Sequence, residues 1–172
     1  MSRFIPESDA FQVLLDPSKP GGQREDLARA VTVRHLLTNT SGLAYGIFDD
    51  APIESVYREA ELGEVSLAEM VARLVTLPLE FQPGTSWRYC IGFDVLGHLI
   101  ELASGMAFDQ CLDERLFKPL GMVDTGFVVP EADVSRLSAV YSNPDEGEVV
   151  LYDDPNSSPF ARPRYQLAGG GG

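Results

Sequence analysis

The sequence predicts a mainly helical domain with a small β-hairpin towards its end. Between residues 32 and 117, apolar side chains recur at helical spacing, and capping residues and glycines separate the runs. After Met122 the apolar residues fall instead into short extended pieces on either side of a turn. The chain has 172 residues, 44% of them hydrophobic and 23% charged, which is enough for one globular core.

Residues 1–30 are predicted to be a loop lead-in with one short extended piece. The prolines and glycines from Pro17 to Gly22 rule out a continuous helix or strand there. A first helix is expected after Thr32, whose hydroxyl can cap it, and Ser41-Gly42 is expected to end it. His35 lies on this helix, where a lone histidine is more typical of a structural hydrogen bond than of catalysis.

Residues 31–122 are predicted to form the helical domain. Its further helices are bounded by turn and capping residues, and they run from Asp50 to Gly63, from Ser66 to Pro78, from Gly92 to Gly105 and over residues 107–117. The helix that begins near Gly92 has a wide apolar face, which predicts burial on two sides and makes it the central helix of a bundle. Gly97 on this helix allows another element to approach closely.

Residues 123–172 are predicted to contain short strands and a glycine-rich end. The extended pieces are Gly126 to Val129, Ser138 to Tyr141 and Val149 to Tyr152, and the last two flank an Asn-Pro-Asp-Glu-Gly turn. They predict a hairpin beside the helices. The proline-rich stretch from Asp153 to Arg164 is expected to be a surface connection.

Charge and composition exclude several classes of function. The formal net charge of −13 repels nucleic acid and anionic membrane surfaces. No apolar run is long enough to span a membrane, and the absence of a leader pattern favours the cytoplasm while leaving the compartment open. Cys90 and Cys111 are expected to be buried thiols. His35 and His98 are too isolated for a metal site, so no cofactor or metal is predicted.

The candidate site lies where a Pro83-Gly84 turn leads through Trp87 and Tyr89 into the helix at Gly92. A side chain beside a helix N-terminus feels a partial positive charge that favours an anion, so Tyr89 is a candidate base. The alternative is that Trp87 and Tyr89 are a core pair that anchors the loop. Residues 43–50 form an aromatic loop, and its Tyr45 either packs or lines an acyl pocket.

Three stretches together resemble a known family: Val33 to Leu43, Pro83 to Gly97, and Pro119 to Phe127. In this order and spacing they are similar to the serine hydrolases of the β-lactamase superfamily, which include class C β-lactamases, family VIII carboxylesterases and related acyltransferases. The resemblance implies the helical region of the α+β serine β-lactamase and penicillin-binding-protein fold. It also implies that Tyr89 matches the general base of the Tyr-x-Asn or Tyr-Ser-x motif.

The family's other catalytic elements are absent from this sequence. Its nucleophile is a serine in Ser-x-x-Lys, but Asp16 and Arg115 stand three residues before the two lysines, Lys19 and Lys118. There is also no Lys-Thr-Gly or His-x-Gly triplet. We therefore expect that the nucleophile lies outside this chain, that the chain alone is inactive, and that its partner is the missing portion of the same enzyme. The alternative is a non-catalytic helical domain that binds a partner chain.

The resemblance also directs the substrate prediction. Class C β-lactamases carry an asparagine at the third motif position, where its amide bonds the substrate, whereas this chain has Ile91. The change favours a small-molecule ester over a lactam, with Ile91, Trp87 and Tyr45 as predicted substrate contacts. A β-lactamase or acyltransferase of the same superfamily stays an alternative, and so does a purely packing role for Ile91.

Overall fold

The computed structural model describes residues 1–144 and 147–158. Its helices are α1 (Val33–Leu37), α2 (Ile53–Glu59), α3 (Leu67–Leu74), α4 (Gly92–Ser104), α5 (Phe108–Leu112) and α6 (Lys118–Leu120). Its strands are β1 (Gln12–Leu14), β2 (Arg24–Asp26), β3 (Val140–Ser142) and β4 (Val150–Asp153). The architecture is therefore mainly helical, as predicted, with two antiparallel ribbons where one was expected.

Helix α4 is the centre of the helical domain, as its apolar face predicts. It packs against α1, α3 and α5. A Cβ added at Gly97 would lie 3.4 Å from a side-chain carbon of Leu67 and of Phe108, so glycine permits the close approach of α3 and α5. The helix ends at Gly105 in the left-handed conformation. The prediction that α4 is buried on two sides is only partly right, because Phe93 and Leu102 are 38% and 46% exposed.

Hydrogen bonds at the N-termini of α1 and α3 explain where these helices begin. The Thr32 hydroxyl accepts from the His35 N–H, and the His35 Nδ1 accepts from the Thr32 N–H at 3.3 Å. His35 therefore has the structural role predicted for it. Ser66 likewise accepts from the Glu69 N–H, as a Ser-x-x-Glu capping box requires, but the Glu69 carboxylate pairs with Arg73 at 2.6 Å, so only half of the box forms.

Helix α1 ends at Leu37 rather than at the predicted Ser41-Gly42. The Thr38 N–H bonds back to the Arg34 carbonyl, and Asn39 then takes a left-handed conformation that turns the chain. Asparagine tolerates this conformation better than most residues, which explains why α1 ends before the chain reaches Gly42.

The lead-in of residues 1–30 contributes Ile5, Phe11, Val13 and Leu14 to the core. Strands β1 and β2 pair antiparallel, so the prediction of a single extended piece was incomplete. On the other side of β1, the Leu14 N–H donates to the Leu79 carbonyl at 2.9 Å, and the Leu79 N–H donates to the Gln12 carbonyl at 2.8 Å. Because Val13, Leu14 and Leu79 are buried, this pairing joins the lead-in to the core of the helical domain.

The helix predicted over residues 107–117 is interrupted. A π-turn over Asp113–Phe117 lies between α5 and α6. A π-turn places more residues in each turn than an α-helix, which rotates the following side chains around the axis. The apolar spacing of residues 107–117 would place Leu116 on the inner face of a continuous helix, but it is 43% exposed.

The predicted hairpin is confirmed in β3 and β4, where Ser142 pairs with Val150. The strand predicted from Gly126 to Val129 was wrong, since the structure has turns there and a 3₁₀ segment over Glu131–Arg136. Arg136 donates to both carboxylate oxygens of Asp124 at 2.9 Å, which folds this stretch back on itself. The glycine-rich end and the second half of the proline-rich connection lie outside the described residues. Within the described part, no helix is both long and apolar enough to cross a membrane.

Candidate active site

The segment that carries Tyr89 is fixed by backbone hydrogen bonds on both sides. The Arg88 N–H donates to the Asn39 carbonyl at 2.9 Å, and the Ile91 N–H donates to the Ala44 carbonyl at 3.2 Å. The Gly84 N–H donates to the Thr40 carbonyl at 2.7 Å, which ties the Pro83-Gly84 turn to the same stretch. Residues 84–91 therefore lie against the residues that follow α1.

Tyr89 is presented at the surface from a buried segment. Its side chain is 42% exposed, whereas Cys90 and Ile91, immediately before α4, are each 3% exposed. Trp87 is 64% exposed. These exposures contradict the alternative in which Trp87 and Tyr89 form a core pair, and they leave the Tyr89 side chain accessible to another group.

Tyr89 belongs to an aromatic cluster with Tyr45 and Phe48 from the aromatic loop. Its ring centroid lies 5.7 Å from that of Tyr45 and 6.1 Å from that of Phe48, and both contacts are edge to face. Burial raises the pKa of Tyr45 to about 12, with a smaller contribution from the nearby Asp94 carboxylate. Tyr45 is therefore a protonated phenol at neutral pH. Its hydroxyl can donate or accept a hydrogen bond.

Two residues one turn apart on α2 clamp the aromatic loop. One oxygen of the Glu54 carboxylate accepts from the Gly46 N–H at 2.6 Å and from the Phe48 N–H at 3.5 Å. Arg58 donates to the carbonyls of the same two residues, at 3.1 and 2.8 Å. Gly46 has φ of +88°, and a Cβ there would meet the α2 backbone at Arg58 at 2.9 Å. Glycine is thus required for the loop to reach the helix.

Arg88, beside Tyr89, connects this clamp to the tyrosine segment. Its Nε and Nη2 bind the two oxygens of Glu80, and its Nη1 donates to Asp50 at 3.0 Å and to Glu54 at 3.2 Å. The hydrogen bonds to Glu80, and then those to Asp50, raise the pKa of Arg88, so its guanidinium is a cation at neutral pH. Glu54 is 1% exposed, so this ion pair lies mostly away from water.

Sequence reasoning missed both Arg88 and Glu54. The helical pattern from Ile53 to Ala60 indicates an apolar face. Glu54, beside Ile53, is then expected to be exposed to solvent. The available signal was an arginine between Trp87 and Tyr89 in the resembling motif. The chain has twice as many acidic as basic residues, 26 against 13, so an arginine has many possible carboxylate partners.

Ile91 lies in the hydrophobic core, at the N-cap position of α4. Its 3% exposure leaves no surface for a substrate contact in this structure, so the geometry favours the packing alternative over the predicted contact. The predicted site residues are therefore divided: the rings of Tyr89 and Tyr45 are in contact, Trp87 is exposed nearby in sequence, and Ile91 is buried in the core.

The thiols and lysines supply no nucleophile or ammonium to the aromatic cluster. Burial raises the pKa of the Cys90 thiol, which lies 3.5 Å from the Asn39 side-chain oxygen, and Cys90 and Cys111 are buried free thiols as predicted. Lys19 pairs with Asp16 at 3.0 Å and Lys118 pairs with Asp113 at 2.6 Å. Among the described residues, no group of histidine, cysteine and acidic side chains could hold a metal ion.

Comparison with known proteins identifies the family. Residues 16–172 match the family model described as Beta-lactamase, and the chain therefore belongs to the beta-lactamase family. It is 40% identical over 159 residues to esterase EstB of Burkholderia gladioli, covering 89% of this chain and 37% of that protein. It is 32% identical over 149 residues to lovastatin esterase of Penicillium rubens, covering 85% and 37%.

The solved structures agree with the fold. Unliganded simvastatin synthase (LovD) of Aspergillus terreus superposes with a TM-score of 0.68 at 26% identity, over 89% of this chain and 38% of that one. The predicted fold class and the resemblance to serine hydrolases of the β-lactamase superfamily are thereby confirmed. The chain spans about two fifths of the length of the curated relatives it matches.

Proposed function

We propose that these residues are the tyrosine-bearing region of a serine hydrolase that cleaves esters through an acyl-enzyme. Tyr89 is the general base, and the nucleophilic serine and its lysine lie outside these 172 residues. The observation that supports this role is the exposure of Tyr89 at the start of α4, on a segment whose backbone is fixed on both sides. A base must meet an incoming hydroxyl in one defined position.

The arrangement suits proton transfer by a phenol. The N–H groups at the start of α4 carry a partial positive charge that favours negative charge beside them, and Tyr89 lies two residues before the N-cap residue Ile91. As the serine oxygen attacks the ester carbonyl, its proton passes to Tyr89 and then to the departing alkoxide, which leaves as the alcohol. Water then attacks the acyl-enzyme and releases the acid, and its proton follows the same route to the serine oxygen.

The substrate is a small-molecule ester rather than a lactam. The position at which class C β-lactamases present an amide holds Ile91, which has no hydrogen-bonding group in its side chain and is buried. Around Tyr89 the cluster offers the apolar rings of Tyr45 and Phe48, with Trp87 exposed on the same segment. The relatives named as esterases, EstB and lovastatin esterase, support this choice.

A second candidate is a helical domain that binds a partner chain without catalysis. It is favoured by exposed apolar side chains on the β3–β4 hairpin, where Tyr141, Leu151 and Tyr152 are 61%, 51% and 77% exposed. Activity measurements on single-residue variants distinguish the two candidates.

The test is the Tyr89→Phe variant in the full-length enzyme that joins these residues to a Ser-x-x-Lys segment. We expect kcat for a p-nitrophenyl ester to fall by about 10²- to 10⁴-fold, with an unchanged melting temperature. Tyr141→Phe is the matched control, because it removes a hydroxyl from another exposed tyrosine. Equal rates in the Tyr89→Phe and Tyr141→Phe variants would disprove the base. The 172-residue chain alone should not hydrolyse the ester.

A further inference from the structure

We propose that Arg88 is a positioning residue for Tyr89, because its side chain ties the tyrosine segment to the aromatic loop and so keeps the aromatic cluster in one arrangement. The proposal rests on the proposed function, since Arg88 takes part in the reaction only if Tyr89 does. Arg88 itself is not catalytic, as its guanidinium is bound to three carboxylates.

The first step of the argument concerns the segment itself. Arg88 precedes Tyr89 in the chain, and both its backbone and its side chain are held. Its N–H donates to the Asn39 carbonyl, and its guanidinium binds Glu80 through two parallel hydrogen bonds. Its side chain is only 14% exposed. A residue fixed at both ends allows the next Cα little freedom, so the direction of the Tyr89 side chain depends on Arg88.

The second step concerns the aromatic loop. Glu54 uses one carboxylate oxygen for Arg88 and the other for the Gly46 and Phe48 N–H groups. The Phe48 ring in turn contacts the Tyr89 ring. These contacts link Tyr89 to Arg88, Arg88 to Glu54, Glu54 to Phe48, and Phe48 back to Tyr89. Loss of the Arg88 guanidinium breaks this series of contacts at the residue next to Tyr89.

The third step explains why the residue must be an arginine. The planar guanidinium binds Glu80 with two donors on one edge and still directs Nη1 to Glu54 and Asp50. A lysine ammonium is a point charge on a flexible stem, so it neutralises the carboxylates without fixing their directions. Arg88→Lys therefore preserves most of the charge balance while it removes the geometry.

A double-mutant cycle in the full-length enzyme tests the proposal. We expect Arg88→Lys to lower kcat per folded molecule by about 10- to 100-fold, the size of effect produced by a small displacement of a reacting group. In the Tyr89→Phe background the same change should alter the rate by less than about 2-fold, because the displaced base is already absent. A purely structural Arg88 lowers the folded fraction equally in both backgrounds and leaves the rate per folded molecule unchanged.

The matched control is Arg73→Lys. Arg73 binds the Glu69 carboxylate at 2.6 Å and the carbonyls of Ala60 and Glu61, so its guanidinium also has three hydrogen-bond partners, none of which belongs to the aromatic loop or the tyrosine segment. Its replacement should leave kcat within about 2-fold of the parent. An equal loss of rate in both lysine variants would overturn the proposal.

A spectroscopic measurement tests the positioning without activity. Trp87 is the one tryptophan of the sequence and adjoins Arg88, so its emission reports on this segment. We expect Arg88→Lys to shift the emission of Trp87 and the ¹³C-tyrosine ring signals of Tyr89, which are assigned with Tyr89→Phe. Arg73→Lys should move neither. Unmoved signals in folded Arg88→Lys would overturn the proposal.

A milder variant covers the case in which Arg88→Lys does not fold. Asp50 is 64% exposed, so Asp50→Asn removes one charged partner of Nη1 without burying a new group. It should move the same signals in the same direction by a smaller amount, and an unchanged spectrum contradicts the proposal. If Tyr89→Phe keeps full activity, the proposed base is wrong, and the spectra alone then decide whether Arg88 positions residue 89.

Discussion

The rings of Tyr45 and Tyr89 meet edge to face, with centroids 5.7 Å apart and planes inclined by 75°. One ring belongs to the aromatic loop and the other to the segment before α4, so this contact joins the two parts of the candidate site directly. Edge-to-face aromatic pairs contribute about 0.5–1.5 kcal/mol beyond the area they bury.

The first prediction is that Tyr45→Leu and Tyr89→Leu are not additive in their effects on the free energy of unfolding. We expect a coupling of about 0.5–1.5 kcal/mol in a double-mutant cycle measured by urea denaturation of the chain. The control pair is Tyr45→Leu with Tyr141→Leu, since Tyr141 lies on the β3–β4 hairpin and has no ring contact with Tyr45 in the described structure. A coupling near zero for the first pair contradicts the contact.

The second prediction concerns pH and His35. Burial, and then the charges of Arg29 and Arg34, lower the pKa of His35 below its ordinary 6.5, and its Nδ1 accepts a hydrogen bond only when neutral. The unfolded chain therefore binds a proton near pH 6.5 that the folded chain still excludes. This stabilisation is present above about pH 6.5 and is lost as the pH falls through the lowered pKa.

His35→Gln checks the pH effect, because glutamine at this position keeps a capping acceptor but does not titrate. We expect its free energy of unfolding to fall less between about pH 7.5 and pH 5 than that of the parent chain. Thr32→Ala is the control for the cap itself and should cost about 0.5–2 kcal/mol at neutral pH. Identical slopes for the parent and for His35→Gln would show that His35 does not carry the dependence.

The third prediction concerns Gly42, which follows Ser41 at the entrance to the aromatic loop. Its φ is +88°, and a Cβ at this position would overlap the Phe81 carbonyl oxygen. Gly42→Ala should lower the free energy of unfolding by at least about 2 kcal/mol, from backbone strain and displacement of that carbonyl. Gly21→Ala is the matched control, because a Cβ at Gly21 would have no neighbouring atom within 4 Å, and it should stay within about 0.5 kcal/mol.

The sequence predicted the elements whose boundaries depend on local chemistry. Thr32 caps α1, and α4 runs from Gly92 to Ser104 with Gly105 behind it, because capping hydroxyls and C-terminal glycines act within one turn of the chain. Tyr89 became a candidate base through its motif, which stays a prediction, and its exposure was not foreseen from spacing. What failed was the π-turn after Leu112, since no short-range pattern distinguishes it from an α-helix.

The charged network behind the site could not be predicted for a different reason. Glu54 and Arg88 are far apart in the sequence, and each alone resembles a surface residue. Their burial is favourable only because the fold brings Glu80 and the loop N–H groups to the same place, where paired charges are stabilised and an unpaired one is costly. The sequence contains the residues, but the pairing exists only in three dimensions.

The fourth prediction concerns Ile91, for which a pocket role and a packing role give opposite results. With 3% of its surface exposed, Ile91 packs in the core, so Ile91→Asn buries an amide without partners. We expect a loss of about 1–3 kcal/mol in the free energy of unfolding of the chain. Ile91→Val, which removes one methylene group and adds no amide, should cost only about 0.5–1.5 kcal/mol.

Turnover in the full-length enzyme completes this test. If Ile91 only packs, Ile91→Asn leaves the ratio of ester to β-lactam hydrolysis per folded molecule unchanged. If residue 91 instead reaches the substrate, the new amide donates one hydrogen bond, worth roughly 0.5–1.5 kcal/mol, and shifts the ratio towards lactams by about 2- to 10-fold at little cost in melting temperature. Because the Ile91 side chain is buried in the core, we expect the melting temperature to change and the ratio to stay constant.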